Sequence, residues 1–272
     1  FYYYTLMKLQ YASDLHLEFK SNTLHLLEHP LTVSGEILVL AGDIAYMGSG
    51  AHLRHPFWDW VSEHYREVLI CPGNHEFYKG YDLSTLQNGH CELIRPNVRR
   101  LYNAVVSVED TDIVLSTLWS HIPPENEIIC AERVADFARI SYAGDALMPA
   151  DFNREHDRCA AFIRQALEAS TAKHKIVVTH HLPSSQLLDA QFTGSRLNGA
   201  YVSDLTGFVS SCGADYWIYG HSHRNICTRI GRTLCLSNQL GYVHVGEGRD
   251  FNPAACIDTE EPNQLRFSSM PS

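Results

Sequence analysis

"LICPGNHEFYKG", residues 69–80, starts as an apolar strand, stops at Pro72-Gly73 and then presents Asn74, His75 and Glu76 in succession. Pro and Gly end a strand and Asn tolerates unusual backbone angles, so the stretch reads as a turn. A strand that stops to offer an amide, an imidazole and a carboxylate also reads as the lip of a site, because ligands gather at the carboxyl ends of strands in α/β sheets. The rest of the chain decides between the two.

The same pattern recurs along the sequence. "KLQYAS" (8–13) alternates like a strand and is followed by Asp14 and His16. "EILVLAG" (36–42) is a continuous apolar run, as in a strand covered on both faces, and Asp43 follows it. "KIVVTH" (175–180) ends on His180, with His181 next, and "DYWIYGH" (215–221) leads into His221 and His223. Five strand ends therefore deliver Asp, His or Asn to one rim. Helices are predicted over 51–66, within 82–94, over 154–170 and over 201–212, and hairpins over 103–119 and 226–238. Alternating strands and helices followed by hairpins predict a mixed, layered α/β fold. With no repeat and no low-complexity linker, residues 7–272 read as one domain. The looser stretch 120–152, with Pro123-Pro124, Gly144 and Pro149, reads as a lid-like excursion over the active face or as plain connection. Residues 1–6, FYYYTL, precede Met7, lack a basic signal-peptide segment and read as an upstream extension or a cloning remnant.

Of the 272 residues, 45% are hydrophobic and 19% charged, an ordinary balance for a globular protein. A formal charge of −10 argues against long nucleic acid held by a broad basic surface. It leaves room for a small phosphorylated substrate where bound cations supply local positive charge. The eight cysteines form no C-x-x-C pair, and several sit in apolar runs, which predicts free thiols and a cytoplasmic location. No apolar run approaches the length of a membrane span, so no membrane partner is expected.

In an extended chain residues i and i+2 share a face, so Asp14 with His16, and His221 with His223, are each predicted to point one way and share a metal. Imidazoles with carboxylates suit Zn, Mn or Fe, and the absence of a thiolate disfavours a structural zinc site. A lone histidine is more often structural than a ligand; here the set carries the signal.

The fragments D-L-H (14–16), G-D (42–43), G-N-H-E (73–76), His180 and G-H-S-H (220–223), in that order, resemble the calcineurin-like metallophosphoesterase superfamily over residues 8 to about 243. The resemblance implies a two-sheet β-sandwich flanked by helices and two divalent metal ions (Mn, Fe or Zn). It implies Asp14, His16, Asp43 and His223 as ligands of the first ion, and Asp43, Asn74, His180 and His221 as ligands of the second. It makes His75 the catalytic residue that contacts a phosphoryl oxygen or protonates the leaving group, with Asn74, His75 and His181 as candidate substrate contacts. His181 reads equally as a packing residue, and Glu76 either orients its neighbours or is solvated. The implied reaction is hydrolysis of a phosphate ester or diester, of small or nucleotide-like kind, by direct attack of a metal-bound hydroxide. Alternatives are a non-catalytic metal-binding scaffold, set against eight filled positions, and a DNA-processing nuclease, set against the acidic chain.

The Ser/Thr protein phosphatase branch matches poorly, since "GDIAYMGSG" (42–50) carries no arginine. "HHLPSSQLLDAQFTGSRLNGAYVSDL" (180–205) and "SNQLGY" (237–242) resemble instead a bacterial branch of mostly uncharacterised phosphoesterases, with Gln239 where proline is usual. Ser184, Ser185, Asn198 and Tyr201 are candidate pocket residues, or ordinary loop residues.

Overall fold

A strand that is apolar on both faces needs cover on both faces, and the centre of this molecule is built from such strands. The computed structural model describes residues 7–47 and 50–259; the expectation for residues 1–6 lies outside them. The strands are β1 (Lys8–Ala12), β2 (Ile37–Ala41), β3 (Glu67–Cys71), β4 (His90–Arg95), β5 (Val98–Tyr102), β6 (Ala104–Val108), β7 (Thr111–Ser116), β8 (Ser141–Tyr142), β9 (Asp145–Ala146), β10 (His174–Thr179), β11 (Tyr216–Tyr219), β12 (Thr228–Ile230), β13 (Thr233–Ser237) and β14 (Cys256–Asp258). The α-helices are α1 (Lys20–Glu28), α2 (Pro56–His64), α3 (Glu127–Arg133), α4 (Asp136–Arg139), α5 (Pro149–Ala169) and α6 (Thr206–Ser211).

Two six-stranded sheets form, in the orders β14-β1-β2-β3-β5-β4 and β12-β13-β11-β10-β7-β6. Their designs match. In the first, β1, β2, β3 and β5 run parallel between antiparallel edges β14 and β4. In the second, β7, β10, β11 and β13 run parallel between β6 and β12. Leu9, Val39, Leu69, Ile113, Ile176 and Ile218 meet between the sheets. The alternate residues face outward: Leu38, Leu40 and Val68 onto Trp58 and Val61 of α2, and Val114, Val177 and Trp217 onto Ile163 and Leu167 of α5. This is the two-sheet layered sandwich flanked by helices that the sequence predicts.

Local differences have physical reasons. The helix predicted within 82–94 is a single turn, Leu83–Thr85, followed by strand β4. Only Ile94 of β4 is buried, so its pattern is faint, and antiparallel pairing with β5 across the Pro96-Asn97 turn decides its state. The helix predicted over 201–212 shortens to α6. The helix predicted from 154 begins at Pro149, the first-turn position where a missing N–H costs nothing. The sequence reading missed α1, in which only Asn22 and Leu26 are buried.

All eight cysteines are unpaired thiols, and no helix among the described residues is long and apolar enough to cross a membrane. Ile176 is fully buried between the sheets. Ile176→Ala is expected to lower unfolding free energy by about 2–5 kcal/mol, seen as a lower urea midpoint at an unchanged m-value.

Candidate metal centre and catalytic pocket

The parallel strands β1, β2, β3, β10 and β11 end on one rim, and the turns after them carry the polar residues. Asp14 and His16 are not in extended chain, as the i, i+2 argument assumed. Both adopt positive φ (54° and 48°), as do Asp43 (56°), His221 (75°) and His223 (51°). Non-glycine residues seldom adopt this region, and they hold it where surrounding contacts over-determine the backbone. Those contacts are visible: the amides of Asp14, His16 and Leu17 donate to the carbonyls of Gly42, Asp43 and Ile44, so two strand-end loops pair with each other. Gly42 (φ 87°) allows the closest approach, since a Cβ there would lie 2.3 Å from His180 Nδ1.

Glu76 ties the second and third loops together. Its fully buried carboxylate accepts the amides of Asp43 (3.0 Å), Ile44 (2.8 Å), Ala45 (3.3 Å) and Gly73 (2.8 Å). Burial and then the charge of Asp43 push its pKa up, while Arg100 and the Ile44 amide pull it down. Gln239, where proline was expected, braces the fifth loop: its Oε1 accepts the His223 amide (2.6 Å) and its Nε2 donates to the Arg224 carbonyl (2.8 Å).

The side chains then converge in two groups. In the first, His223 Nε2 lies 3.3 Å from Asp14 Oδ1 and 3.1 Å from His16 Nε2. In the second, His180 Nε2 lies 3.4 Å from Asp43 Oδ1 and 3.0 Å from Asn74 Oδ1, and the His221 ring is 4.9 Å from that of His180. Asp43 joins the groups, its Oδ2 lying 3.9 Å from His16 Nε2. The pair His221/His223 thus divides between the two groups.

Charge follows this geometry. Burial would raise the Asp43 carboxyl, but His180 and His75 hold it well below the usual carboxylate range. Burial opposes protonation of His180 and His223, yet Asp43 raises the first to about 9, and hydrogen bonds donated to Asp14 and Glu247 raise the second to about 10. Burial and then His180 press His221 down to about 3. His221 Nε2 is buried without a hydrogen-bond partner among the described residues. Such an orphan is costly, and imidazole, carboxylate and amide donors facing one another fit divalent cations of the Mn, Fe or Zn type.

His75 stands beside this cluster. Its Nδ1 lies 2.9 Å from Glu18 Oε1, and its Nε2 lies 3.2 Å from the Tyr242 hydroxyl and 3.9 Å from Asp43 Oδ2. Burial lowers its pKa, but Asp43 and then Glu18 reverse this and raise it. The same Glu18 oxygen also meets His16 Nδ1 at 3.0 Å. Asp136, buried on α4, accepts from Asn74 Nδ2 (2.8 Å) and the Tyr78 hydroxyl (2.6 Å). A carboxylate can only accept here, so the Asn74 amide nitrogen turns to Asp136 and its oxygen turns to His180.

Sequence alone gave no role to Glu18, Asp136, Tyr242 or Glu247. The one available signal was that acidic residue two positions after His16. His181 is fully buried among Trp119, Phe152 and His221, behind the cavity rather than in it. Tyr201 lines the cavity and stacks on His221 at 4.8 Å. Ser184 is buried against Thr206, and Ser185 and Asn198 lie outside the cavity wall. The cavity measures about 410 Å³ and opens on Asp43, Asn74, His75, His221 and His223.

Residues 7–225 match the family described as calcineurin-like phosphoesterase, and the chain belongs to it. It is a metal-dependent hydrolase of phosphoric ester bonds. An uncharacterized protein of Acanthamoeba polyphaga mimivirus is 28% identical over 93% of this chain and 97% of its own length. The phosphopantetheinyl hydrolase of Mycobacterium tuberculosis shares the fold, with a TM-score of 0.70 and 19% identity over 98% of this chain and 99% of that one.

Glu76→Ala strands four buried amides and is expected to cost on the order of 3 kcal/mol or more in unfolding free energy, with Glu76→Gln intermediate. Urea denaturation of both variants checks this; a midpoint like that of the parent protein contradicts the bracing role.

Proposed function

We propose that the site hydrolyses a phosphate ester or diester with two divalent ions. Asp14, His16, Asp43 and His223 would hold one, and Asp43, Asn74, His180 and His221 the other. The observation that carries this reading is Asp43, whose two oxygens face two different histidine groups, Oδ2 towards His16 and Oδ1 towards His180. When bound, such ions act as Lewis acids on phosphoryl oxygens and lower the pKa of water to roughly 7.

The protein's own groups do the rest. Asn74, fixed by Asp136, offers a neutral oxygen and so leaves the centre more positive for an anionic substrate. The Glu18 carboxylate holds His75 Nδ1–H, which leaves Nε2 towards the cavity. With its pKa raised by Asp43 and then Glu18, His75 would present a proton on Nε2 to the departing oxygen. The cavity hydroxyl of Ser222 accepts from Gln239 Nε2 (3.1 Å), which supports water as the source of the incoming oxygen. One solvent oxygen therefore ends on phosphorus, with a single inversion there. Val134, Asp136 and Arg139 from residues 120–152 wall the cavity, which supports reading that segment as an active-site excursion within one domain spanning 7–272. The unpaired thiols support a reducing, cytoplasmic setting.

With Mn²⁺, the purified chain is expected to hydrolyse a nitrophenyl monoester or bis-nitrophenyl diester, and EDTA to abolish the activity. His75→Ala should lower kcat by about 10²–10⁴-fold while ion content stays at two per chain. Inertness on both esters, on a phosphopantetheinyl ester and on single-stranded DNA would favour the scaffold reading. Asp136→Ala frees the Asn74 amide to flip and should weaken one of two ion-binding events by about 10–100-fold. Two unchanged events in a calorimetric Mn²⁺ titration would contradict this.

A further inference from the structure

Two arginines reach the same cavity from different walls, and the reaction proposed above uses neither. Arg139 closes α4 and is exposed; its guanidinium lies over the Tyr78 ring at 5.3 Å, and that ring is 4.4 Å from His75. Arg224 follows His223 directly, its Nη1 donating to the His223 carbonyl at 3.3 Å. Both line the cavity.

The carboxylates that share the wall are occupied elsewhere. Asp136 is held by Asn74 and Tyr78. Glu247 accepts from the Tyr242 amide and meets His223 Nδ1, both at 2.7 Å. Arg224 pairs with Asp189 at 3.4 Å, and its charge also reaches Glu247. Arg139 makes no ion pair among the described residues. A guanidinium stacked on a ring keeps its donor edge free, and that edge matches two oxygens of a phosphate. In a chain of formal charge −10, Arg139 and Arg224 set two positive charges into a cavity wall that also carries Asp43, Asp136 and Glu247.

We propose that Arg139 and Arg224 form a second anion subsite, and that the substrate carries a second phosphate besides the one that reacts. This inference rests on the phosphoesterase reading and names its substrate class. In the step, a P–O bond forms to the oxygen of water and the P–O bond to the leaving group breaks. One water proton stays on the new phosphate oxygen and the other passes to the medium, while the leaving oxygen takes one from His75, which the medium then restores. The second phosphate is untouched; it orients the ester, and the rings of Phe19, Tyr201 and Tyr242, which also line the cavity, favour an organic group with a flat face.

The test compares adenosine 3′,5′-bisphosphate with adenosine 3′- and 5′-monophosphates on the Mn²⁺-loaded full chain. Binding is read by calorimetry with EDTA-free protein, and turnover by phosphate release. The parent protein should bind the bisphosphate on the order of tenfold more tightly, as a charge-assisted bidentate contact provides. Arg139→Ala and Arg224→Ala should each shrink that ratio, the double variant should remove it, and Arg139→Lys should restore part of it. A parent ratio near one, or a ratio that survives the double variant, overturns the subsite. Binding with the expected ratio but no turnover of any ester would instead overturn the hydrolytic reading, so the two failures are separable.

Discussion

One buried carboxylate holds the loops of this site in place. Glu76 lies in the turn after β3, yet three of the four amides it accepts belong to the turn after β2. Burying a carboxylate costs several kcal/mol unless its oxygens are satisfied, and here both are. The consequence is that Asp43 and Asn74 are set by one anchor. Asp43 needs it, because its positive φ is a conformation the free chain would leave.

Around that anchor the two sheets act as a jig. Each contributes parallel strands ending on the same rim: β1, β2 and β3 from one sheet, β10 and β11 from the other. Since the sheets pack through Val39, Ile176 and Ile218, core packing sets how far apart the strand ends carrying Asp43 and His180 lie, and the Glu76 anchor then fixes Asp43 within its loop. The left-handed residues turn the chain sharply at the strand ends, which lets a short segment send His221 to one side of Asp43 and His223 to the other.

What the sequence could tell divides along the same physical line. The central strands were legible because double burial writes an uninterrupted apolar run, as in "EILVLAG". The ordered polar residues after them were legible because chemistry restricts their type. Strand β4 and helix α1 were not, since each buries so little that its sequence hardly differs from a loop. Glu18, Asp136 and Glu247 were hidden for another reason. Each fixes a histidine or an amide far along the chain, 57 residues for Glu18 to His75 and 62 for Asp136 to Asn74. Only the contact of Glu18 with His16, two residues before it, left a local trace. The error over Asp14 and His16 was of a third kind: their shared direction is real, but a pair of left-handed turns produces it, where the periodicity of a strand was assumed.

Glu18 also shows why the two functions of the site are not independent. A single oxygen faces both His16 Nδ1 and His75 Nδ1, and the second oxygen is buried without a partner. When His16 offers its Nε2 to a cation, its Nδ1 must carry a proton and donate, and the same holds when His75 offers a proton from Nε2. One acceptor thus selects the tautomer of a candidate ligand and of the candidate acid together. After Asp43, that carboxylate is also what raises the pKa of His75 against its burial, so a cation held by His16 would act on both imidazoles through one oxygen. The proposed acid would therefore answer to the occupancy of the proposed ion site, through an atom that neither substrate nor cation need touch.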